Sequence, residues 1–311
     1  MNWNLFVTEL VSGITHGSVY ALIALGYSMV YGILKLLNFA HGDVYMVGAF
    51  IGYGLITVFG GPLALDVNVV LLLFLMFGCA MLGGGLLGVM IERFAYRRLR
   101  NAPRIAPLIT ALGVSFFLEN AAQLVLGAQY QSYNSFSWTN SPIALNGFTL
   151  PAHARVSYAQ IIVVAGAIVL MIFLTLFVQR TQTGKAMRAT SFDREAASMM
   201  GIDVDRVIVV TFFIGSALAG AAGVFNGIAY QQVWPYMGFQ AGLFAFTAAV
   251  VGGIGNLPGS VLGGLVIGLA EAFATGYVSS TFQQAIVFAI LISVMLVRPS
   301  GLLGRAAVQK V

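Results

Sequence analysis

From Val67 to Ile91 the chain carries no charged side chain, and long apolar stretches of this kind recur along its length. They run near 5–34, 44–60, 67–92, 105–127, 158–179, 207–230, 240–254, 258–275 and 282–297. A helix that crosses a bilayer needs about 20 mainly apolar residues, with a range near 17–25. Only 8% of the residues are charged, against roughly 25% in a soluble domain, so this surface cannot face water. The runs are rich in Leu and Gly rather than alternating, which selects a helical bundle over a β-barrel. The expected fold is all-α: a polytopic transmembrane helical bundle of about 8–9 membrane helices, some short or broken. No linker is polar enough to divide residues 1–311, so the expectation is a single transmembrane domain.

The basic residues set the expected topology. Of the 15 Lys and Arg, all but Lys35 and Arg155 fall in three segments. Arg93, Arg97, Arg98, Arg100 and Arg104 form the first; Arg180, Lys185, Arg188, Arg194 and Arg206 the second; Arg298, Arg305 and Lys310 the tail. Basic loops stay on the cytoplasmic side. The polar stretch near 128–157 has one basic residue and is placed outside, which puts the N-terminus outside and the C-terminus in the cytoplasm. The net charge of +5 is then mostly a topology signal, and a nucleic-acid partner is not expected. The N-terminus lacks a basic stretch, so Leu5 onward reads as a retained first span, with room in 5–34 for a short lead-in helix as well. Cys79 is the single cysteine, so no intrachain disulfide is possible.

Two motifs interrupt the apolar runs. Asn38-Phe39-Ala40-His41-Gly42-Asp43 lies between the first two, and Gly252-Gly253-Ile254-Gly255-Asn256-Leu257-Pro258-Gly259 between two later ones. A helix break inside a membrane is tolerated only where protein or a water-filled cavity satisfies the backbone. Paired breaks also point to transport sites. Gly42, Asp43, Asn256, Pro258 and Gly259 are read as structural break residues, with Asp43 stabilised by a helix N-terminus. Segment 240–254 is too short for an ordinary span and reads as a short span, a half-helix or part of a re-entrant hairpin. Asn38 and His41 are candidates for a translocation path or gate. So are Glu119, Asn120 and Gln123, since Glu119 and Gln123 share one helix face and line either a conduit or a helix contact. The pairs Gly13/Gly17, Gly48/Gly52, Gly84/Gly88, Gly223/Gly227 and Gly264/Gly268 put small residues on one face, where a neighbouring backbone can approach.

The loop near 180–206 carries the mechanistic signal. Asp193 suits a helix N-cap, Glu195-Ala196-Ala197 favours helix, and Gly201 suits the C-terminal left-handed position. A short amphipathic helix between two spans, flanked by Arg188 and Arg194, would make a rigid knob able to pass a motor's closure to the membrane helices. Gly184-Lys185 is followed by Ala and lacks the first Gly of a P-loop, so ATP binding by that motif is not expected. The sequence has no His-Glu-x-x-His, no paired cysteine ligands and no Gly-x-Ser-x-Gly, and neither a metal site nor covalent chemistry is expected.

These motifs, with Gly17-Ser18-Val19-Tyr20-Ala21-Leu22, Leu25-Gly26 and Arg298-Pro299-Ser300-Gly301-Leu302-Leu303-Gly304, resemble the H-type permease subunit of bacterial ABC importers for branched-chain amino acids. The resemblance spans nearly the whole chain. It implies an inner-membrane importer with a second homologous permease subunit, two ATPase subunits that bind the ATP, and a periplasmic binding protein. It also implies that Arg188, Asp193, Arg194, Glu195, Ala196, Ala197 and Gly201 form the ATPase-coupling loop, and that this chain needs no cofactor of its own. Related permeases for urea, short amides or other amino acids stay open. A reading from another class is a proton- or ion-coupled carrier that uses His41, Asp43 and Glu119 as a relay. A passive channel is a third reading.

Overall fold

The computed structural model describes residues 3–60, 69–100, 102–103, 105–133, 147–149 and 155–304. Its helices are α1 (Trp3–Leu34), α2 (His41–Gly60), α3 (Val69–Ile91), α4 (Ile105–Leu126), α5 (Tyr158–Arg180), α6 (Gln182–Phe192), α7 (Arg194–Met199), α8 (Val204–Tyr230), α9 (Met237–Gly252), α10 (Leu257–Tyr277) and α11 (Gln283–Val297). Among the described residues, eight helices are long and apolar enough to cross a membrane, and the 16-residue α9 is a shorter apolar helix. The chain is thus an all-α multi-pass membrane bundle. One expectation is corrected: residues 3–34 form one continuous helix, with no separate lead-in, because nothing in that run breaks the backbone ladder.

The core is built from α1, α2, α8, α9 and α10. The span of α1 is 89% buried and that of α8 78%, whereas α4 and α5 are 22% buried and α11 only 6%. Helices α1 and α8 are therefore screened on most sides, α2 and α10 are about half buried, and the outer helices leave Phe74, Phe117, Leu124 and Leu296 facing outward. That pattern suits lipid or a partner subunit, where exposed apolar side chains cost nothing.

Small residues set how closely the inner helices approach. Gly13 and Gly17 of α1 lie against Leu265, Leu269 and Gly268 of α10, and a Cβ on Gly268 would overlap the Gly17 backbone. Gly48 of α2 and Gly84 of α3 meet α8 at Gly220, while Gly223 of α8 abuts the α2 backbone at Tyr45 and Ala49. Gly52 and Gly227 make room for Tyr133, whose hydroxyl donates to the Ala49 carbonyl at 2.5 Å. With lipid as apolar as Leu, contact between helices rests on such close packing.

At one end of the bundle the described basic segments come together. The turns after α3, Glu92–Tyr96 in π form and Arg97–Leu99 in 3-10 form, bring Arg97 and Arg100 to Asp205 at the start of α8. Arg194 reaches the end of α1. The opposite end carries two small antiparallel pairs: β1 (Gln131–Ser132) with β4 (Gln232–Val233), and β2 (Gly147–Thr149) with β3 (Arg155–Ser157). The polar stretch near 128–157 lies at this end, and 134–146 and 150–154 of it fall outside the described residues, as do Arg104, Arg305 and Lys310.

Gly268→Leu should lower the thermal unfolding temperature of the purified chain, since overpacking a tight contact costs about 1–3 kcal/mol. Gly78→Leu, where nothing lies within 4 Å of an added Cβ, should leave it unchanged. Equal Tm values for the two variants would show that the α1–α10 seam is not tightly packed.

Candidate functional site

The first break is held by two side chains from elsewhere in the chain, Tyr96 and Arg194, and by the first amide of α2. Helix α1 ends at Leu34, Lys35 takes φ +55°, and the chain runs without helix to residue 40. The Tyr96 hydroxyl, from the turn after α3, reaches the Leu37 carbonyl at 3.1 Å and Asn38 Oδ1 at 3.2 Å. The His41 amide donates to the Asn38 carbonyl at 3.1 Å, which closes the turn into α2. Asn38 is buried, and its Nδ2 has no partner among the described residues.

His41 is folded back along α1. Its ring packs edge-on to Tyr27, centroids 4.9 Å apart, in a notch that exists because residue 26 is glycine: a Cβ there would overlap the imidazole. So α2 starts beside the middle of α1 rather than at its end. A second helix starts at the same place. The first turn of α9 lies against that of α2, where a Cβ on Gly238 would stand 2.6 Å from Asp43 Oδ1 and 2.9 Å from the Gly42 carbonyl. Gly42, Gly238 and Gly242 allow this backbone contact. Two helix N-termini, each with partial positive charge, therefore converge on one fully buried carboxylate.

Ser115 and Glu119 of α4 face Asp43 from the third side, both buried. Neither Asp43 oxygen closes a hydrogen bond among the described residues. One turn further along α4, Gln123 Oε1 accepts from the Tyr236 hydroxyl at 2.8 Å, just before α9. Glu119 and Gln123 thus share a face that packs toward α2 and α9. Asn120 points away from it, exposed, with its amide on the Phe116 carbonyl of its own helix at 2.7 Å.

The second break is clasped differently. Gly253 and Gly255 take φ +107° and +90°, values open to glycine at little cost. Gly255 N donates to Ser28 Oγ at 3.3 Å, and Ser28 also bonds to Ser260 of α10. The residues after α11 close the other side: Leu302 N to Val251 O at 2.8 Å, Leu303 N to Gly252 O at 3.0 Å, and Asn256 Nδ2 to Leu303 O at 2.6 Å. Pro258 opens α10, where its missing N–H is harmless, and Gly259 sits tight against Gly252. Segment 240–254 is accordingly most of a short helix that begins inside the bundle and ends at this clasp.

The charged loop folds into two helices at a corner, not one. Thr181 caps α6 by accepting from Gly184 N at 3.0 Å, and Asp193 caps α7 by accepting from Ala196 N at 3.0 Å. Asp193 breaks the run because its own backbone is extended, and Gly201 follows α7 at φ +82°. Ala197 is buried beneath the corner while Glu195 and Ala196 are exposed. Two arginines fasten it: Arg194 bonds through Nε and Nη2 to the Ile33 carbonyl at the end of α1, and Arg188 bonds to the Val178 carbonyl near the end of α5. The outer surface presents Phe192, Met199 and Met200, 91%, 81% and 83% exposed.

Sequence reasoning missed two buried polar sets. Glu92, fully buried in the π turn, pairs with Arg100, which also holds Asp205. Glu271 of α10 accepts from Gln283 and lies 3.2 Å from His16 Nδ1, so it joins α1, α10 and α11. In both cases the signal in the sequence was a lone carboxylate in or beside an apolar run, and the partner's position depends on packing. Among the described residues no three His, Cys, Asp or Glu gather closely enough to hold a metal ion.

A bundle with helices broken and clasped inside it, and a fastened knob with an exposed apolar surface at one end, fits a membrane transport permease. The chain belongs to the family described as branched-chain amino acid transport system, permease component, whose model matches residues 9–296. It is 41% identical over 309 residues to the high-affinity branched-chain amino acid transport system permease protein BraD of Pseudomonas aeruginosa, covering 98% of both chains. It is 40% identical over 311 residues to the corresponding protein LivH of Escherichia coli K12, again covering 98% of both. PsaBC from Streptococcus pneumoniae, solved in complex with Fab, aligns with a TM-score of 0.50 at 16% identity, over 95% of this chain and 92% of that one, and shares the fold alone.

Arg100→Ala should destabilise the chain by about 3–5 kcal/mol, because it leaves the Glu92 carboxylate buried without a cation. The double variant Glu92→Leu/Arg100→Met should recover most of the lost Tm. A double variant no more stable than the single one would show that the charge pair itself holds the turn.

Proposed function

We propose that this chain is the transmembrane permease subunit of an ATP-driven importer for branched-chain amino acids in the bacterial inner membrane. Its N-terminus lies outside and its C-terminus in the cytoplasm, following the gathering of basic residues at one end of the bundle. A second homologous permease completes the path, two ATPase subunits bind and hydrolyse ATP, and a periplasmic binding protein delivers the solute. The similarity to BraD and LivH along the whole chain supports the solute class. Urea, short amides and other amino acids are the alternative cargoes.

The observation that carries the coupling part is the fastened knob. Arg194 ties α7 to the last turn of α1, Arg188 ties α6 to α5, and α8 follows directly after the loop. An ATPase docked on Phe192, Met199 and Met200 would therefore push on three helix ends together. Helix α1 leads straight into the first break and touches the second through Ser28. A displacement of its end reaches both, with Asn38, His41 and the Asp43–Glu119 contact in the moving part. In this reading Arg188, Asp193, Arg194, Glu195, Ala196, Ala197 and Gly201 shape the coupling surface. A proton-coupled carrier would use the Asp43–Glu119 pair but has no need of an exposed apolar knob.

The test is co-expression with the neighbouring transport genes and purification through this chain. The native chain should retain ATPase subunits, and the proteoliposomes should take up leucine when binding protein and ATP are supplied. Phe192→Asp/Met199→Asp should cut ATPase retention at least roughly tenfold with Tm unchanged, as expected for a packed contact site worth about 2 kcal/mol or more. Glu195→Ala/Gly201→Pro should do the same by breaking the knob, since proline cannot adopt the φ that Gly201 has. Solute uptake by the chain alone, driven by a proton gradient, would overturn the importer reading.

A further inference from the structure

Several cations at the knob end have no carboxylate partner among the described residues, and three of them, Lys35, Arg188 and Arg194, border the same space. They contrast with Arg97 and Arg100 close by, which are matched by Asp205 and Glu92. The unmatched three line two adjoining cavities that share Ile33, Lys35 and Ser191, of about 580 Å³ and about 360 Å³. Among the described residues no Asp or Glu lines either cavity, and Arg100, which also lines the smaller one, is already paired with Glu92 and Asp205. Partial burial, and then the Arg194 guanidinium, hold the Lys35 ammonium below its ordinary pKa. Like charges have thus been packed together with nothing of opposite sign between them.

Other features point into the same space. The N-terminus of α10 borders the larger cavity at Asn256, Leu257 and Pro258. It has no side-chain cap; the Asn256 side chain instead donates through Nδ2 to the Leu303 carbonyl. Its positive end is left for an external acceptor. Thr190 is 1% exposed and lines the smaller cavity, and its hydroxyl has no partner among the described residues. Lys35 holds a left-handed backbone at φ +55°, where glycine would sit without strain, so a cation is kept at this point against the backbone's preference. Beside the polar Ser28, Thr175, Gln179 and Ser191, the larger cavity presents the apolar Met29, Ile33, Val178, Met187 and Leu257, and it borders α5, one of the least buried helices.

We infer that these cavities bind a phosphate-bearing anion, its charge held by Lys35, Arg188, Arg194 and the N-terminus of α10. The ligand chemistry is a phosphate ester on a small polar group, with room for apolar chain beside it. Such an ester can come from the headgroup of an anionic phospholipid or from a soluble phosphate ester. Position at the end of the spans and the apolar lining favour the lipid, and basic pockets between membrane helices are suited to such headgroups. The bound anion would neutralise the cations that fasten the knob to α1 and α5. That consequence rests on the coupling reading above; the binding itself does not.

The experiment is native mass spectrometry of the full chain with its co-purifying subunits in mild detergent. It is titrated separately with phosphatidylglycerol, phosphatidylcholine and glycerol 3-phosphate. Lys35→Gly is the informative variant, since it removes the cation and suits the backbone, so Tm should not fall. Phosphatidylglycerol should bind in preference to phosphatidylcholine, and Lys35→Gly should weaken it about fivefold, the equivalent of about 1 kcal/mol for one cation near an anionic headgroup. Lys35→Arg should restore binding, and Arg98→Ala, an exposed cation outside the cavities, should leave it unchanged. Glycerol 3-phosphate binding with the same dependence on Lys35 would support the phosphate site and assign it to a soluble ester. Equal binding to Lys35→Gly and the native chain, or equal binding of phosphatidylcholine and phosphatidylglycerol, would overturn the proposal. Each readout is independent of ATPase binding and uptake, so failure here and failure of the importer reading are distinguishable.

Discussion

Where a chain inside a bilayer stops being helical, its freed amides and carbonyls need partners, because hydrocarbon supplies none. This constraint organises the protein. At the first break the Ile33 carbonyl is taken by Arg194, the Leu37 carbonyl by Tyr96 and the Asn38 carbonyl by the His41 amide. At the second, Ser28 receives the Gly255 amide, and the residues after α11 engage Val251 and Gly252. All of these partners except the His41 amide come from a distant part of the chain. The breaks are therefore the points where distant segments are tied together.

The same requirement explains the contrast between core and periphery. Helices α1, α8 and α10 approach closely because glycine removes the side chains between them, and backbone-to-backbone contact leaves little freedom for independent movement. The outer helices α4, α5 and α11 carry few such contacts and present bulky apolar side chains outward. A load on the knob would pass along the stiff inner set, since Arg194 grips α1 at the residue where it begins to unwind. Asp43 sits where two of these inner helices begin, and the two N-termini offset part of the cost of burying it.

Legibility in the sequence followed the range of the interaction. The spans were readable because hydropathy over about 20 residues is a local sum. Asp193 as a cap and Gly201 as a left-handed residue were readable because a helix end is decided within a few positions. The continuity of α1 was not, since nothing local says whether a long apolar run is one helix or two. The single helix expected in the charged loop became two, because Thr181 supplies a second cap that propensity alone did not single out. The Glu92–Arg100–Asp205 and His16–Glu271–Gln283 sets were invisible as sets, since each needs one distant member, Asp205 or His16, that only helix packing brings in.

By itself the sequence determined the solvent this protein requires, the number and rough extent of its apolar helices, the two places where they break and the loop that carries charge. These follow from transfer free energies and backbone preferences, which each residue expresses with its near neighbours. Only the tertiary structure decided that α2 and α9 begin together against Asp43, that His41 fills the notch at Gly26, and that Lys35, Arg188 and Arg194 surround one space. Those outcomes depend on which helix faces touch, and that choice is made by close packing among segments separated by up to two hundred residues and more.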